Sequence, residues 1–193
     1  MPREIKSKSK RQDAQRNEKR ILETTTAMIY ENDSIDDLSM ANIAGRVGVG
    51  VGTLYRHFES KSRLCQAVLD KQVEQMFQKI EKDLEENKEK SLYERVYIIL
   101  SYLLELKDKN LNLLRFIERN GFKKHSFMGV PFYHQLYRII LKEMEKEGTI
   151  EESRLKLDIL LNAFSADIYH YERFEQNYSA ETYIKKLLDI FLK

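Results

Sequence analysis

The chain has 193 residues, enough for one large domain or two small ones with a buried core. Two prolines and seven glycines favour helices over a sandwich or a barrel, and 42% apolar with 33% charged residues argues against a disordered or membranous chain. A net charge of +2 indicates no partner by itself, and the single cysteine excludes an internal disulfide and a Cys-based zinc cluster.

Basic residues cluster at the N-terminus. The first eleven residues hold five basic side chains and one acidic, which predicts a disordered basic arm, with a solubilising tail as the alternative. This stretch lacks the apolar core of a signal peptide, and no apolar run in the chain reaches the roughly 20 residues of a membrane span. We therefore expect a cytoplasmic protein.

The pattern that follows predicts a helix-turn-helix. Apolar residues recur at helical spacing over residues 13–31, which predicts the first helix. Ser39 is a suitable N-cap for a short helix ending near Arg46, and another is predicted over Gly50–Phe58. Gly48 between them can adopt the left-handed conformation that a tight corner requires. Such a corner is typical of DNA readers that place one helix in the major groove.

A glycine-rich phosphate loop is the competing interpretation of this region. Four of the seven glycines, Gly45, Gly48, Gly50 and Gly52, lie within eight residues. A P-loop requires Lys after its last glycine, whereas Val51 follows Gly50, and a dinucleotide fingerprint requires a preceding strand. The pattern therefore favours DNA binding over nucleotide binding.

The second short helix carries the side chains that can reach DNA. Thr, Tyr, Arg and His can each bond phosphate oxygens or base edges, and the start of the following helix offers a cation and free N–H groups. The candidates are Val51, Thr53, Tyr55, Arg56, His57 and Lys61, with Lys8, Lys10 and Arg11 in the arm. A helical hairpin with incidental charge is the alternative.

Helical periodicity continues to the C-terminus and predicts nine helices in an all-α fold. We assign residues 1–63 to the arm and DNA-binding domain, and residues 64–193 to a helical ligand-binding and dimerisation domain. The six later helices are predicted at 61–86, 92–106, 111–120, 132–147, 152–174 and 180–192.

The predicted helix 152–174 has two apolar faces. The wider face contains Leu157, Leu160, Leu161, Phe164, Ile168 and Tyr171, and the narrower contains Leu155, Ile159, Ala163 and Ala166. A helix that is apolar on two sides needs two partners. We therefore expect a homodimer in which this helix and 180–192 form a four-helix seam, with burial inside one subunit as the alternative.

Several short motifs occur in register between Arg16 and Leu69. They are Ile21-Leu22, Ser39-Met40-x-x-Ile43-Ala44, Val47-Gly48-Val49, Gly52-Thr-Leu-Tyr-Arg-His-Phe58 and Ser60-Lys61-x-x-Leu64. Together they resemble the DNA-binding segment of the TetR-type (TetR/AcrR) transcriptional regulators. The remainder resembles the ligand domain of that family only in length and helicity.

The resemblance implies an all-α homodimer that binds a palindromic operator, usually as a repressor, and is released by a small molecule. By the family pattern, DNA contacts fall on Ser39, Met40, Ala41, Gly50, Val51, Gly52, Thr53, Tyr55, His57 and Lys61. The chain departs from the pattern at Ser34, Gly50 and Val51, and the last two remove hydrogen-bonding groups. We then expect bases to be recognised by Thr53, Arg56, the basic arm and apolar contact of Val51 with a thymine methyl.

The C-terminal region is rich in aromatic residues, since 17 of the 20 lie after residue 63. Such residues can line a cavity for a small apolar or aromatic effector, although a packed core is the simpler interpretation of any one of them. The candidate effector-binding residues are Tyr97, Phe116, Tyr137, Phe164, Asp167, His170 and Tyr171.

Nothing in the sequence predicts catalysis. The four histidines are scattered without a His-Glu-x-x-His pair, and Cys65 lies in an apolar stripe that indicates burial. We expect no enzyme activity, cofactor or metal. Two alternatives to a ligand-gated repressor stay open: a DNA-binding regulator without an inducer, such as an activator or nucleoid-organising protein, and a helical adaptor.

Overall fold

The computed structural model describes residues 2–32, 34–120, 131–147 and 150–192, with the backbone alone at 2–12, 118, 131, 150–152, 166 and 167. Over this part of the chain the fold is all-α, as predicted, with ten α-helices and no strand. The helices are α1 Pro2–Glu31, α2 Met40–Val47, α3 Val51–His57, α4 Lys61–Glu86, α5 Leu92–Lys109, α6 Leu111–Arg119, α7 Pro131–Met144, α8 Ile150–Asn162, α9 Ala166–His170 and α10 Ala180–Phe191.

Two short irregular turns complete the described elements. A 3-10 turn, Ile35–Asp37, lies between α1 and α2, and a π turn, Tyr171–Glu175, follows α9. None of the helices described is both long and apolar enough to cross a membrane.

The first compact unit contains α1 to α3, α4 as far as Gln72, and α6. Its core is formed by fully buried aliphatic side chains from all of these helices, among them Ile21, Ile43, Leu54, Leu64 and Leu113. In the sequence, α6 begins about 40 residues after Gln72, where the α4 part of this unit ends. Folding of the chain therefore brings α6 into the unit. The functional boundary at residues 63 and 64 stays a prediction.

The second compact unit contains α4 from Val73, α5, and α7 to α10. α5 packs against α7 and α10, and α7 packs against α8. Fully buried side chains come from α4, α5, α7, α8 and α10 and include Ile80, Ile99, Leu100, Leu136, Leu160 and Leu188. A single hydrophobic core therefore holds this unit together.

The N-terminal arm is helical, which corrects the prediction of a disordered segment. α1 runs from Pro2 to Glu31 without interruption. Residues 3–20 contain neither Gly nor Pro and are rich in Lys, Arg, Glu and Gln, all of which favour helix. Among the α1 side chains that the structure describes, from residue 13 onward, the buried ones are Ile21, Thr25, Met28 and Ile29.

The predicted helix 152–174 is also incorrect as a single element. α8 ends at Asn162, and the chain passes through a turn before α9 and the π turn. The N–H of Phe164 donates to the Leu161 carbonyl and that of Ser165 to the Asn162 carbonyl, each at 3.0 Å, which tightens the backbone.

Two side chains from other helices satisfy the carbonyls at this break. The Tyr183 hydroxyl donates to the Ala163 carbonyl, and the Lys107 ammonium donates to the Phe164 carbonyl. Because the axis changes here, Ile168 and Tyr171 are 41% and 47% exposed instead of facing the core. Periodicity could not reveal a break that depends on these distant donors.

A buried ion cluster joins α5 to α7. Arg95 and Glu143 are each 5% exposed, and the Arg95 Nε lies 2.8 Å from Glu143 Oε2. The same guanidinium donates to Glu147 Oε1 at 3.0 Å. A buried charge that loses its partner is strongly destabilising, so these groups depend on one another.

We expect Glu143→Ala to lower the free energy of unfolding by about 3–5 kcal/mol, because it leaves the Arg95 guanidinium buried without its main partner. Chemical denaturation measures this change. Glu85→Ala is the matched control, since Glu85 pairs with Lys88 at the surface with 79% of its side chain exposed, and should cost less than about 1 kcal/mol. Equal losses in both variants would contradict the role of the buried pair.

Candidate nucleic-acid interface

The corner between α2 and α3 follows from one glycine and one cap. The Ser39 Oγ accepts a hydrogen bond from the Asn42 N–H at 3.1 Å and starts α2. α2 stops at Gly48, which adopts φ 76° and ψ 38°. The N–H groups of Gly48 and Val49 both donate to the Ala44 carbonyl, at 2.9 and 3.0 Å. The left-handed conformation predicted for Gly48 is confirmed, and it turns the chain into α3.

α3 has one buried side and one exposed side. Leu54 is fully buried and Phe58, which ends the helix, is 8% exposed. Val51 and Tyr55 are 41% and 49% exposed, and Gly52 and Arg56 are also exposed. The helix is therefore anchored by its buried residues and keeps exposed ones for contact, and a single α-helix is an element that the major groove admits.

The residues predicted to contact DNA divide into three groups by exposure. Met40 is 7% exposed and packs in the core, so its side chain offers no contact surface. Half-buried positions are Thr53, His57 and Lys61, and exposed ones are Ser39, Ala41, Gly50, Val51, Gly52, Tyr55 and Arg56. The side chains of Lys8, Lys10 and Arg11 lie outside the described residues.

The Lys61 ammonium is held by the protein itself. Its Nζ donates to three backbone carbonyls of the turn before α2, those of Ile35, Asp36 and Leu38, at 2.9, 3.1 and 2.8 Å. It also lies 4.9 Å from the centre of the Phe116 ring. An ammonium has three N–H donors, and three are used here. This differs from the role expected at Lys61, a free cation for a phosphate.

Other cations of this unit are paired as well. Arg46 Nη2 donates to both carboxylate oxygens of Glu31, at 3.1 and 3.0 Å. Arg119 on α6 pairs with Asp36 at 3.0 Å. The sequence contains no local signal for this second pair, because its members are 83 residues apart.

On α3 itself, Arg56 folds back onto its own helix. Its Nη2 donates to Thr53 Oγ1 at 2.8 Å and its Nε donates to the Gly52 carbonyl at 3.3 Å. From the sequence, both Thr53 and Arg56 are predicted to contact bases. In the protein they form a pair on the exposed surface of α3.

Cys65 is 1% exposed, as its place in the apolar stripe predicted. Burial disfavours the charged thiolate and raises the pKa of this thiol to about 11. The thiol is therefore uncharged at neutral pH and packs as an apolar group.

Comparison with known proteins decides the family. The family model described as "Bacterial regulatory proteins, tetR family" matches residues 21–68. The HTH-type transcriptional regulator SAR0097 of Staphylococcus aureus (strain MRSA252) is 39% identical over 190 residues, covering 98% of this chain and 100% of the relative. This chain belongs to the TetR family. A second regulator of that strain, SAR2658, is 33% identical over 94% of this TetR-family chain and 96% of its own length.

Solved structures agree with this assignment. A TetR transcriptional regulator from Rhodococcus sp. RHA1 has a TM-score of 0.59 and 25% identity, over 92% of this chain and 97% of its own. A TetR-family regulator from Streptomyces coelicolor, at 16% identity and a TM-score of 0.57, covers 91% and 99% and shows the shared fold alone. TetR-family regulators bind DNA, act as dimers and are not enzymes.

The second unit of this TetR-family chain contains a cleft between α4 and α5. Its volume is about 310 Å³, and it is lined by Asp83, Tyr97, Ile98, Ser101, Tyr102 and Glu105. The Tyr102 hydroxyl donates to Asp83 Oδ2 at 2.7 Å, and this bond raises the pKa of Tyr102 to about 12. The lining combines two phenol rings with two carboxylates, and Ile98 adds apolar surface.

The predicted effector residues do not form one site. Tyr97 lines the cleft, Tyr137 is half-buried on α7, and Phe164 is fully buried in the core. His170 and Tyr171 are exposed, and Phe116 belongs to the first unit. The side chain of Asp167 lies outside the described residues. Across the described residues no group of His, Cys, Asp and Glu could hold a metal ion.

We expect Lys61→Met to lower the free energy of unfolding by about 2 kcal/mol, because it removes a charged donor from three carbonyls. Urea denaturation followed by circular dichroism measures the loss. Arg46→Met is the control: its ion pair with Glu31 is more than half exposed and should contribute less than about 1 kcal/mol. A loss at Lys61 no larger than at Arg46 would show that the bonds do not stabilise the fold.

Proposed function

We propose that this TetR-family regulator is a cytoplasmic repressor that binds a palindromic operator as a homodimer and is released by a small-molecule effector. The observation that carries the DNA-binding part is the outer surface of α3. Leu54 anchors the helix in the core, and Val51, Tyr55 and Arg56 face outward. A supported helix with one open side is what major-groove recognition requires.

Phosphate contacts in this proposal come from two kinds of group. Polar side chains of this region, the exposed Ser39 and Tyr55 and the half-buried His57, can bond phosphate oxygens without reading sequence. The long-range attraction comes from the basic start of α1, including Lys8, Lys10 and Arg11. The first group positions α3, and the second raises affinity for any DNA.

We expect Tyr55→Phe to weaken binding about tenfold to operator and unrelated DNA alike, because one hydrogen bond to a phosphate is lost. The salt dependence should stay unchanged, since no charge is removed. Fluorescence anisotropy over a range of salt concentrations measures both quantities. The operator is first obtained by selection from a random duplex library.

Tyr30→Phe is the matched control for that variant. Tyr30 is 52% exposed, but its hydroxyl donates to Gln72 at 3.2 Å inside the same unit. Its loss should leave DNA affinity at the wild-type value. If Tyr55→Phe also bound DNA as tightly as the wild type, Tyr55 would have no role at the interface.

The homodimer is supported by exposed apolar side chains on two helices. Leu155 and Ile159 on α8 are 65% and 52% exposed, and Ile190 on α10 is 72% exposed. The opposite side of α8 is buried at Leu157 and Leu160, so α8 has the two apolar faces that the sequence predicted. A second copy covering this surface would form the four-helix seam and bring two copies of α3 to one palindrome.

We expect Ile159→Arg to convert the dimer into a monomer, because it places a charge in the apolar seam. Light scattering coupled to size-exclusion chromatography measures the mass. Gln78→Arg introduces the same side chain at an exposed position on α4 and should leave the dimer intact. A dimer that survives Ile159→Arg at micromolar concentration would place the seam elsewhere.

Effector control rests on the cleft between α4 and α5. This cleft is an open groove of about 310 Å³, and its tyrosines suit a small apolar or aromatic effector. The mechanism is a shift between two states, of which the effector favours the one that does not bind the operator.

Release of the operator by a low-molecular-weight extract of the source cells tests this step. Loss of that release in Tyr97→Ala would tie the effector to the cleft. Operator binding that no extract fraction alters would favour the regulator without an inducer. Failure to select any DNA would favour the helical adaptor.

A further inference from the structure

The N-terminal end of α3, which faces DNA in the proposed function, offers almost no side-chain hydrogen-bonding group. Gly50 precedes the helix as its cap and makes no side-chain cap bond, and Gly52 is its second residue. Between them only Val51 carries a side chain, which is 41% exposed. The first three positions therefore present one isopropyl group and bare backbone.

The polar side chains one turn later are engaged within α3. The Nη2 of Arg56 donates to Thr53 Oγ1 at 2.8 Å, and its Nε donates to the Gly52 carbonyl at 3.3 Å. A bidentate contact with guanine through Nε and Nη2 needs this edge of the guanidinium to be free. In this conformation that edge faces the helix, and at the N-terminal end of α3 Val51 is the exposed side chain that can meet a base.

The fold itself does not require the two glycines. A Cβ at Gly52 would meet no atom within 4 Å, and a Cβ at Gly50 would meet only Thr53 Oγ1 at 3.9 Å. Neither has the positive φ that Gly48 has, and glycine weakens a helix relative to alanine. The absence of side chains here leaves room for another molecule to approach the backbone closely.

We infer that Val51 reads the 5-methyl group of a thymine in each half of the operator, with Gly50 and Gly52 allowing the close approach. The thymine methyl is the apolar group that base pairs display in the major groove, and an isopropyl group complements it. The inference rests on the proposed DNA-binding function and adds the chemistry of its sequence preference. Recognition at this position is by shape and apolar contact instead of hydrogen bonding.

The test replaces thymine by deoxyuridine, which lacks only the 5-methyl group. Duplexes selected from a random library are substituted at one thymine pair at a time, and affinity is measured by fluorescence anisotropy. For the wild type we expect one symmetric position at which deoxyuridine weakens binding about fourfold per half-site, the value of one buried methyl group. Val51→Ala should bind the thymine duplex more weakly by a similar factor and be insensitive to deoxyuridine at that position.

Val49→Ala is the matched control, because it makes the same change in the turn just before α3. It should retain the full response to deoxyuridine. Since Val51 is 41% exposed, Val51→Ala should also unfold at the wild-type temperature, which circular dichroism checks. A double-mutant cycle between residue and base then isolates the contact.

The two levels of the proposal fail in different ways. If the library yields bound sequences but deoxyuridine affects the wild type and Val51→Ala equally at every position, Val51 does not read thymine, and DNA binding stands. If no sequence is enriched over the starting library, the proposed function itself fails.

Discussion

The first unit depends on the position of one ammonium group. Lys61 begins α4, yet its Nζ donates to three carbonyls of the segment that leads into α2 and lies against the Phe116 ring of α6. Ile35 and Asp36 lie in the 3-10 turn and Leu38 caps it, so one charged donor bonds carbonyls along the whole turn. Through this contact α4 and α6 hold the start of α2, and α2 in turn holds the glycine corner and α3.

Several cations of the first unit are bound by groups of the protein itself. Lys61, Arg46 and Arg119 all bond to groups of the protein, so these three charges contribute to the fold of the unit. α3 adds surface shape and the hydroxyl of Tyr55, and the start of α1 adds the basic residues of the N-terminal segment. In our proposal, attraction and recognition are therefore carried by separate segments.

Local patterns predicted those features that depend on neighbours in the sequence. Ser39 as a cap, Gly48 in the left-handed conformation and burial of Leu54 follow from spacing alone, and all three are observed. The same patterns placed Met40 at the DNA surface by family analogy, although its side chain is buried. They also made one helix of residues 152–174, because the donors that satisfy the break at residues 163 and 164 come from α5 and α10.

The sequence by itself determined the all-α class, the helix-turn-helix and the family, because capping, periodicity and glycine conformation are short-range properties. Tertiary structure decided which cations are bound within the protein. Arg119 pairs with Asp36 across 83 residues, and the Lys61 ammonium bonds carbonyls that lie 23 to 26 residues before it. Whether a cation contacts a carbonyl, a carboxylate or a phosphate depends on the groups that folding brings within hydrogen-bond distance. No local pattern carries that information.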